Sequence, residues 1–222
     1  MLPEIAQTSQ IQPIFVLGTT PYAGVLIDMF ECLDNIRFTG CIENRERDRC
    51  GQTLAGLPIL WYQDITEHRQ THQLICALAT THRVGWIENM LSFGFKFATL
   101  VHPSSVVSKR TNLGAGVLVD AGCVIAGYSS LAPHTRIGRR VSLGHHTTIG
   151  MYSTIHPGAI ISGNCTIGEK VIIGTGAVII DGITIGAGAV IAAGSVVTKN
   201  VSANAMVAGN PALLKRENYG PK

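Results

Sequence analysis

The sequence predicts a chain in two parts, a small α/β unit over residues 1–100 and a parallel β-helix over residues 101–201, with a tail over residues 202–222. Three observations carry this. Short apolar runs alternate with helix-spaced segments in the first part. From Val101 onward an aliphatic residue recurs every six positions. Glycine and small residues then fall at fixed phases of that same period.

Pro13–Leu17 (PIFVL) is a short apolar run that stops at Gly18, which reads as a strand followed by a turn. Tyr22–Leu33 has apolar residues at helical spacing. Ile36–Ile42 reads as a second strand, followed by the charged loop ENRERDR. Leu54–Leu60 is a further short apolar stretch. Gln73–Ala79 is a strand candidate, Thr81–Phe93 a helix, and Phe97–Val101 leads out of the unit. Strands alternating with helices imply a mostly parallel sheet.

The second part obeys one rule. Steps of six from Val101 pass through Val107, Leu113, Val119, Ile125, Leu131, Ile137 and Leu143, then Ile149, Ile155, Ile161, Ile167, Ile173, Ile179, Ile185, Ile191 and Val197. Every one is Ile, Leu or Val. The next position is often Gly, as at Gly138, Gly144, Gly150, Gly168, Gly174 and Gly186. Three positions further on the residue is usually small or β-branched, as at Ser129, Thr135, Thr147, Ser153, Ala159 and Ala177. Ordinary strand alternation has period two and does not demand glycine at fixed phases of six. A hexapeptide ladder is the mark of a β-helix, in which each repeat supplies one short strand and one corner.

Composition narrows the function classes. Charged residues make up 14% of the 222, too few for a disordered chain. Mean hydropathy is +0.28, yet no uninterrupted apolar run is long enough to span a bilayer. The opening MLPEIAQTSQ has neither a basic patch nor an apolar run, so no signal peptide is expected. A net charge of +3 is too mild to suggest nucleic acid. The six cysteines form no C-x-x-C pair and read as reduced thiols in a cytoplasmic protein.

The stretch LGHHTTIGMYSTIHPGAIISGNCTIGEKVIIGTGA and the closing VAGNPA segment, Val207–Ala212, resemble the hexapeptide acyltransferases. The order of parts, a Rossmann-like unit, then LVHPSSVVS, then the repeats, is similar to the sugar acetyltransferases that include the sialic acid O-acetyltransferase and the bacillosamine-pathway enzyme. The resemblance implies a left-handed parallel β-helix with three hexapeptides per coil. It also implies a homotrimer with active sites between adjacent subunits, acetyl-CoA as co-substrate, a nucleotide-linked amino sugar as acceptor, and no resident metal.

Coil arithmetic then places His145 between Gly127 and Gly163, and His156 between Gly138 and Gly174. Glycines leave room beside an imidazole and bare the backbone for a thioester. A neutral imidazole is available at physiological pH to take a proton from the attacking amine or hydroxyl. The resemblance puts this general base at His145. The next position often carries Glu or Asp in that family; here it is His146, in the column of Tyr128 and Asn164. Asp181 is the nearest carboxylate in the column of His145, two coils away and expected to be out of reach. A backbone carbonyl or a group of the next subunit is therefore expected to orient His145. The family's cofactor positions correspond to Thr154, His156, Gly163, Thr175, Ala193 and Gly194, with Thr154 standing where His is frequent. Lys199, Lys215 and Arg216 are candidate phosphate partners.

For the acceptor, the resemblance points to the loop after the first strand (Gly18, Thr20, Pro21, Tyr22), the end of the second (Glu43, Asn44) and Ala79. Pro21 and Tyr22 stand where Gly and His are expected, and Pro has no N–H to donate. His68 and His72 have the i, i+4 spacing of a helical metal pair but suggest no third ligand. Trp61 and Trp86 read as packing residues. Acetylation of an amine is the leading expectation. O-acetylation of a sialic-acid-like sugar, a γ-carbonic-anhydrase-like metal enzyme and a non-catalytic scaffold stay open.

Overall fold

The structure is a computed structural model that describes residues 11–78 and 83–219. The first part is one sheet with a helix on each face. In chain order it contains β1 (Gln12–Leu17), α1 (Pro21–Phe30), β2 (Ile36–Glu43), β3 (Thr53–Leu54), β4 (Leu57–Trp61), β5 (Gln73–Cys76), α2 (Arg83–Ser92) and β6 (Lys96–Phe97). The strands lie in the order β3-β4-β2-β1-β5-β6, all parallel except the β3–β4 hairpin. The stretch expected over Leu54–Leu60 is thus two strands, turned at Ala55 and Gly56 with positive φ.

β1 is central and buried on both faces, as an apolar run in a parallel sheet must be. Ile14 and Val16 pack with Ala23, Leu26 and Phe30 of α1. Phe15 and Leu17 pack with Trp86, Ile87 and Met90 of α2. Both helices bury residues at i, i+3, i+4 and i+7, the stripe that faces a core. Pro21 takes the first helical position of α1, where a missing N–H costs nothing. α1 stops at Phe30, short of the expected Leu33.

From Leu100–Val101 onward the chain winds as a left-handed parallel β-helix of two-residue strands. Up to Val197 each strand pairs in parallel with the strand one coil away in unbroken register, as Leu118 does with Leu100 and with Arg136, and an antiparallel pair, Met206–Ala208 with Leu213–Arg216, closes one sheet. Three sheets result, of eight, six and five strands. The aliphatic ladder stacks inside as one core. Buried hydroxyls tie coil to coil: Thr147 Oγ1 donates to the Ser162 carbonyl and accepts from the Cys165 N–H, both at 3.2 Å. The glycine phase has a steric cause. A Cβ on Gly144 would lie 2.5 Å from the carbonyl carbon of Ser162 in the next coil. Every corner from Gly116 to Gly194 also carries one left-handed residue, with φ of +53° at His146 and +56° at Asn164.

The sheet and the β-helix share a packed seam. Leu100 and Leu118 join the core around α1, and Tyr152 joins the core around α2. Arg83 is 2% exposed and donates to the carbonyls of Tyr152 (2.6 Å), Ser153 (3.2 Å) and His134 (3.4 Å). Burial lowers its pKa to about 10. The imidazole of His134 stacks on Tyr152 and meets Phe97 edge-on. Burial, with help from Arg83, lowers its pKa to about 4. No helix among the described residues is long and apolar enough to cross a membrane.

Candidate active site

His145 and His146 occupy the corner between the strands Ser142–Leu143 and Thr148–Ile149, on the edge where the six- and five-stranded sheets meet. Both are exposed. Their Nδ1 atoms lie 3.0 Å apart with the rings nearly perpendicular. The opposite side of His145 leans over Gly163. A Cβ there would lie 2.9 Å from its Cε1 and 3.1 Å from its Nε2. Gly163 therefore has to be glycine for the imidazole to sit where it does.

One sequence expectation is corrected at this corner: within the chain, the group facing Nδ1 of His145 is the imidazole of His146 and not a backbone carbonyl. Asp181 leans toward the same corner. Its Oδ1 lies 3.0 Å from the same Cβ position of Gly163 and accepts a hydrogen bond from Asn164 Nδ2 at 3.1 Å. The bare α-carbon of Gly163 lets a carboxylate from one side and an imidazole from the other lean into one space. His146 stacks on Tyr128, with centroids 4.9 Å apart and planes 16° apart, and Arg110 covers Tyr128.

The other residues expected to hold the cofactor lie elsewhere on the prism. Gly163 shares the edge of His145. Thr175, Ala193 and Gly194 lie on the edge between the eight- and six-stranded sheets, and Thr154 is within the eight-stranded sheet. Of the three basic candidates, Lys199 follows the last six-stranded rung, while Lys215 and Arg216 lie on an exposed strand, Leu213–Arg216.

His156 is brought instead to the seam beside Tyr22. A cavity of about 130 Å³ is lined there by Tyr22, Asp120, Arg136, Arg139, Thr154 and His156. The Arg136 guanidinium hydrogen-bonds the Tyr22 hydroxyl, lies 4.7 Å over its ring, and pairs with Asp120 at 3.6 Å. Asp120 and Arg136 are almost fully buried. Burial raises the pKa of Asp120 against the pull of Arg136 and Arg139. Burial, then Arg136 and Arg83, lower that of His156, so it is neutral at physiological pH. Sequence reading missed Asp120 and Arg136. Their signal was two charges in the ladder, Arg136 between Leu118 and Thr154 and Asp120 between His102 and Gly138.

Around the first loop, Gly18 has φ of +118° and donates to the Ile42 carbonyl at 3.0 Å. Thr20 caps α1 by position, without a side-chain bond. Glu43 is buried and fully engaged. It accepts from the Thr19 hydroxyl, from the N–H groups of Asn44 and Arg45 at 2.8 Å, and from Arg49 at 3.3 Å. Burial pushes its pKa up, but the Thr19 and backbone bonds win and leave it below the ordinary value. The ENRERDR stretch is thus more than a solvated loop, because Arg49 also donates to Thr19 Oγ1 at 2.8 Å. Ala79 lies outside the described residues. His68 and His72 pack against Phe15, with His72 stacked at 4.3 Å. They share no regular α-helix, since only a 3₁₀ turn, Thr66–Gln70, lies there. No group of three His, Cys, Asp or Glu converges as metal ligands among the described residues.

The bacterial transferase hexapeptide (six repeats) family matches residues 164–199. No curated protein sequence matches the chain. Among solved structures, PerB from Caulobacter crescentus in complex with CoA and GDP-perosamine is 26% identical. It covers 93% of this chain and 98% of its own, with a TM-score of 0.85. The acetyltransferase domain of PglB from Neisseria gonorrhoeae, in complex with acetyl coenzyme A, is 26% identical over 92% of this chain and 99% of its own, with a TM-score of 0.84. WeeI from Acinetobacter baumannii is 26% identical over 92% of this chain and 100% of its own, with a TM-score of 0.73. Both parts of the chain, and not the repeats alone, are shared with these structures. The family match covers the later repeats, and the likeness to PerB and to the PglB acetyltransferase domain extends over the whole architecture of the chain.

Proposed function

We propose that this chain is an acetyl-CoA-dependent N-acetyltransferase acting on a nucleotide-linked amino sugar for surface-glycan synthesis in the cytoplasm. The observation that carries the reading is His145, exposed at a β-helix corner and seated over the bare α-carbon of Gly163, in a chain that shares its whole architecture with PerB. In direct transfer the amine nitrogen bonds to the thioester carbonyl carbon, and its surplus proton passes to Nε2 of His145. The tetrahedral intermediate then re-forms the carbonyl and expels the thiolate, which takes that proton. The developing oxyanion is assigned to backbone N–H groups near Gly163.

The candidate residues support a homotrimer. His145 and Gly163 lie on one edge of the prism, and Thr175, Ala193 and Gly194 on another, so a site that uses both sets closes between two copies. The outer face of the six-stranded sheet carries an apolar row, with Val106 67%, Val124 51% and Ile160 46% exposed. Such a row suits burial against a second copy. Along the edge beside it an open groove of about 710 Å³ presents Arg139 and Arg140, which suit CoA or nucleotide phosphates.

Thiol release from acetyl-CoA, measured with a panel of UDP-, dTDP- and GDP-linked amino sugars and matched hydroxyl acceptors, tests the reading. Turnover with an amino sugar supports it. Turnover with hydroxyl acceptors alone replaces it with O-acetylation. Acetyl-CoA binding without turnover on any member refutes the acceptor class.

A further inference from the structure

The contact between His145 and His146 settles more than their proximity. Two neutral imidazoles whose Nδ1 atoms are 3.0 Å apart hold one proton between those atoms. If it belongs to His146, His145 carries its own proton on Nε2 and has no lone pair to offer over Gly163. If it belongs to His145, that lone pair is free, and His146 carries its proton on Nε2. Only the second arrangement makes His145 a base on the side that faces Gly163 and Asp181.

Resting on the acetyl-transfer reading, we propose that His146 is the positioning residue of the reaction, its Nδ1 accepting from Nδ1–H of His145 and so selecting the base-competent tautomer. A carboxylate at this position is an acceptor in any ionised state, whereas an imidazole accepts at Nδ1 in one tautomer only. The surroundings fix the ring for that task. Its face is stacked on Tyr128, whose other neighbour is Arg110, and its backbone is held at φ +53° by the corner. When His145 takes the substrate proton at Nε2, its Nδ1–H stays hydrogen-bonded to Nδ1 of His146, which holds the imidazolium in place. The thiolate removes the Nε2 proton on leaving, and the pair returns to its starting state.

Two measurements on the full chain test this. The first is NMR of 15N-histidine-labelled protein without substrate, with signals assigned through the His145→Ala and His146→Asn variants. The expected pattern is His145 protonated at Nδ1 and bare at Nε2, with His146 protonated at Nε2. A proton on Nε2 of neutral His145 overturns the proposal. The second compares two variants that separate accepting from stacking. His146→Asn keeps an acceptor near the place of Nδ1 and suits positive φ, but loses the ring. His146→Phe keeps the ring on Tyr128 and loses the acceptor. The expected kcat is within about threefold of wild type for Asn and lower by roughly 10- to 100-fold for Phe, with KM for acetyl-CoA unchanged. The reverse order would make His146 a stacking residue only. If wild-type protein acetylates no amine, the acetyl-transfer reading falls and the positioning role with it, and the nitrogen shifts still report where the proton sits.

Discussion

Gly163→Ala isolates the site from the fold. The backbone of Gly163 is outside the left-handed region and the residue is at a corner, so alanine is conformationally acceptable there. Its Cβ would lie 2.9 Å from Cε1 of His145 and 3.0 Å from Asp181 Oδ1. Carbon atoms settle at about 3.5 Å or more, so the imidazole has to retreat by roughly half an ångström. Both colliding groups are the far ends of side chains, and His145 is exposed, so the retreat costs the fold little. A misplacement of about 1 Å can cost 10²-fold in rate, which puts the expected loss in kcat at roughly 10- to 100-fold. Thiol release at saturating acetyl-CoA measures it, and a thermal melt checks the fold, with Tm expected within a few degrees of wild type. Full activity would show that the seat of His145 over Gly163 is irrelevant to turnover. A collapse in Tm would show that Gly163 serves the coil.

Gly144→Ala should do the opposite. Its Cβ would strike the backbone of Ser162 and Gly163, and overpacking of this kind costs about 1–3 kcal/mol, readable as a lower Tm. Arg83→Met should destabilise by about 3 kcal/mol, because the carbonyls of Tyr152, Ser153 and His134 lose a buried charged donor; a denaturant titration reads this. His134 sets an acid limit. Its folded pKa of about 4 lies below the ordinary 6.5, so the unfolded chain binds the proton first, and stability is lost as pH falls from 6.5 toward 4. The loss amounts to about 3 kcal/mol. His134→Phe, which keeps an aromatic ring beside Tyr152 and Phe97, should flatten that limb in melts across the range.

The solenoid was legible because one steric rule repeats: an aliphatic residue inside, a close approach at the glycine phase, a left-handed corner. Each part depends on the neighbouring coil alone, so the ladder from Val101 to Val197 carries its own register. The alternation of strand and helix in the first part was legible for the same local reason. The β3–β4 hairpin was less so, because Ala55 takes the left-handed turn position that Gly or Asn ordinarily announces. At the site, coil counting put His145 beside Gly163 and His146 beside Tyr128. It put Asp181 two coils from His145, and the carboxylate bonds Asn164. It failed at the seam. Nothing in the period of the β-helix says that Tyr22, more than a hundred residues before Arg136, would lie under its guanidinium. That contact depends on how the sheet docks on the first coils through Leu100, Leu118 and Arg83.

The central claim is that His145 takes the proton as an amine attacks acetyl-CoA. The most direct test is kcat of His145→Ala on an amino-sugar acceptor, beside its acetyl-CoA affinity and its melting temperature. A positioned base contributes about 10² to 10⁴ in rate, so kcat should fall by that factor while acetyl-CoA affinity and Tm stay at wild-type values. Undiminished turnover by His145→Ala would contradict the account.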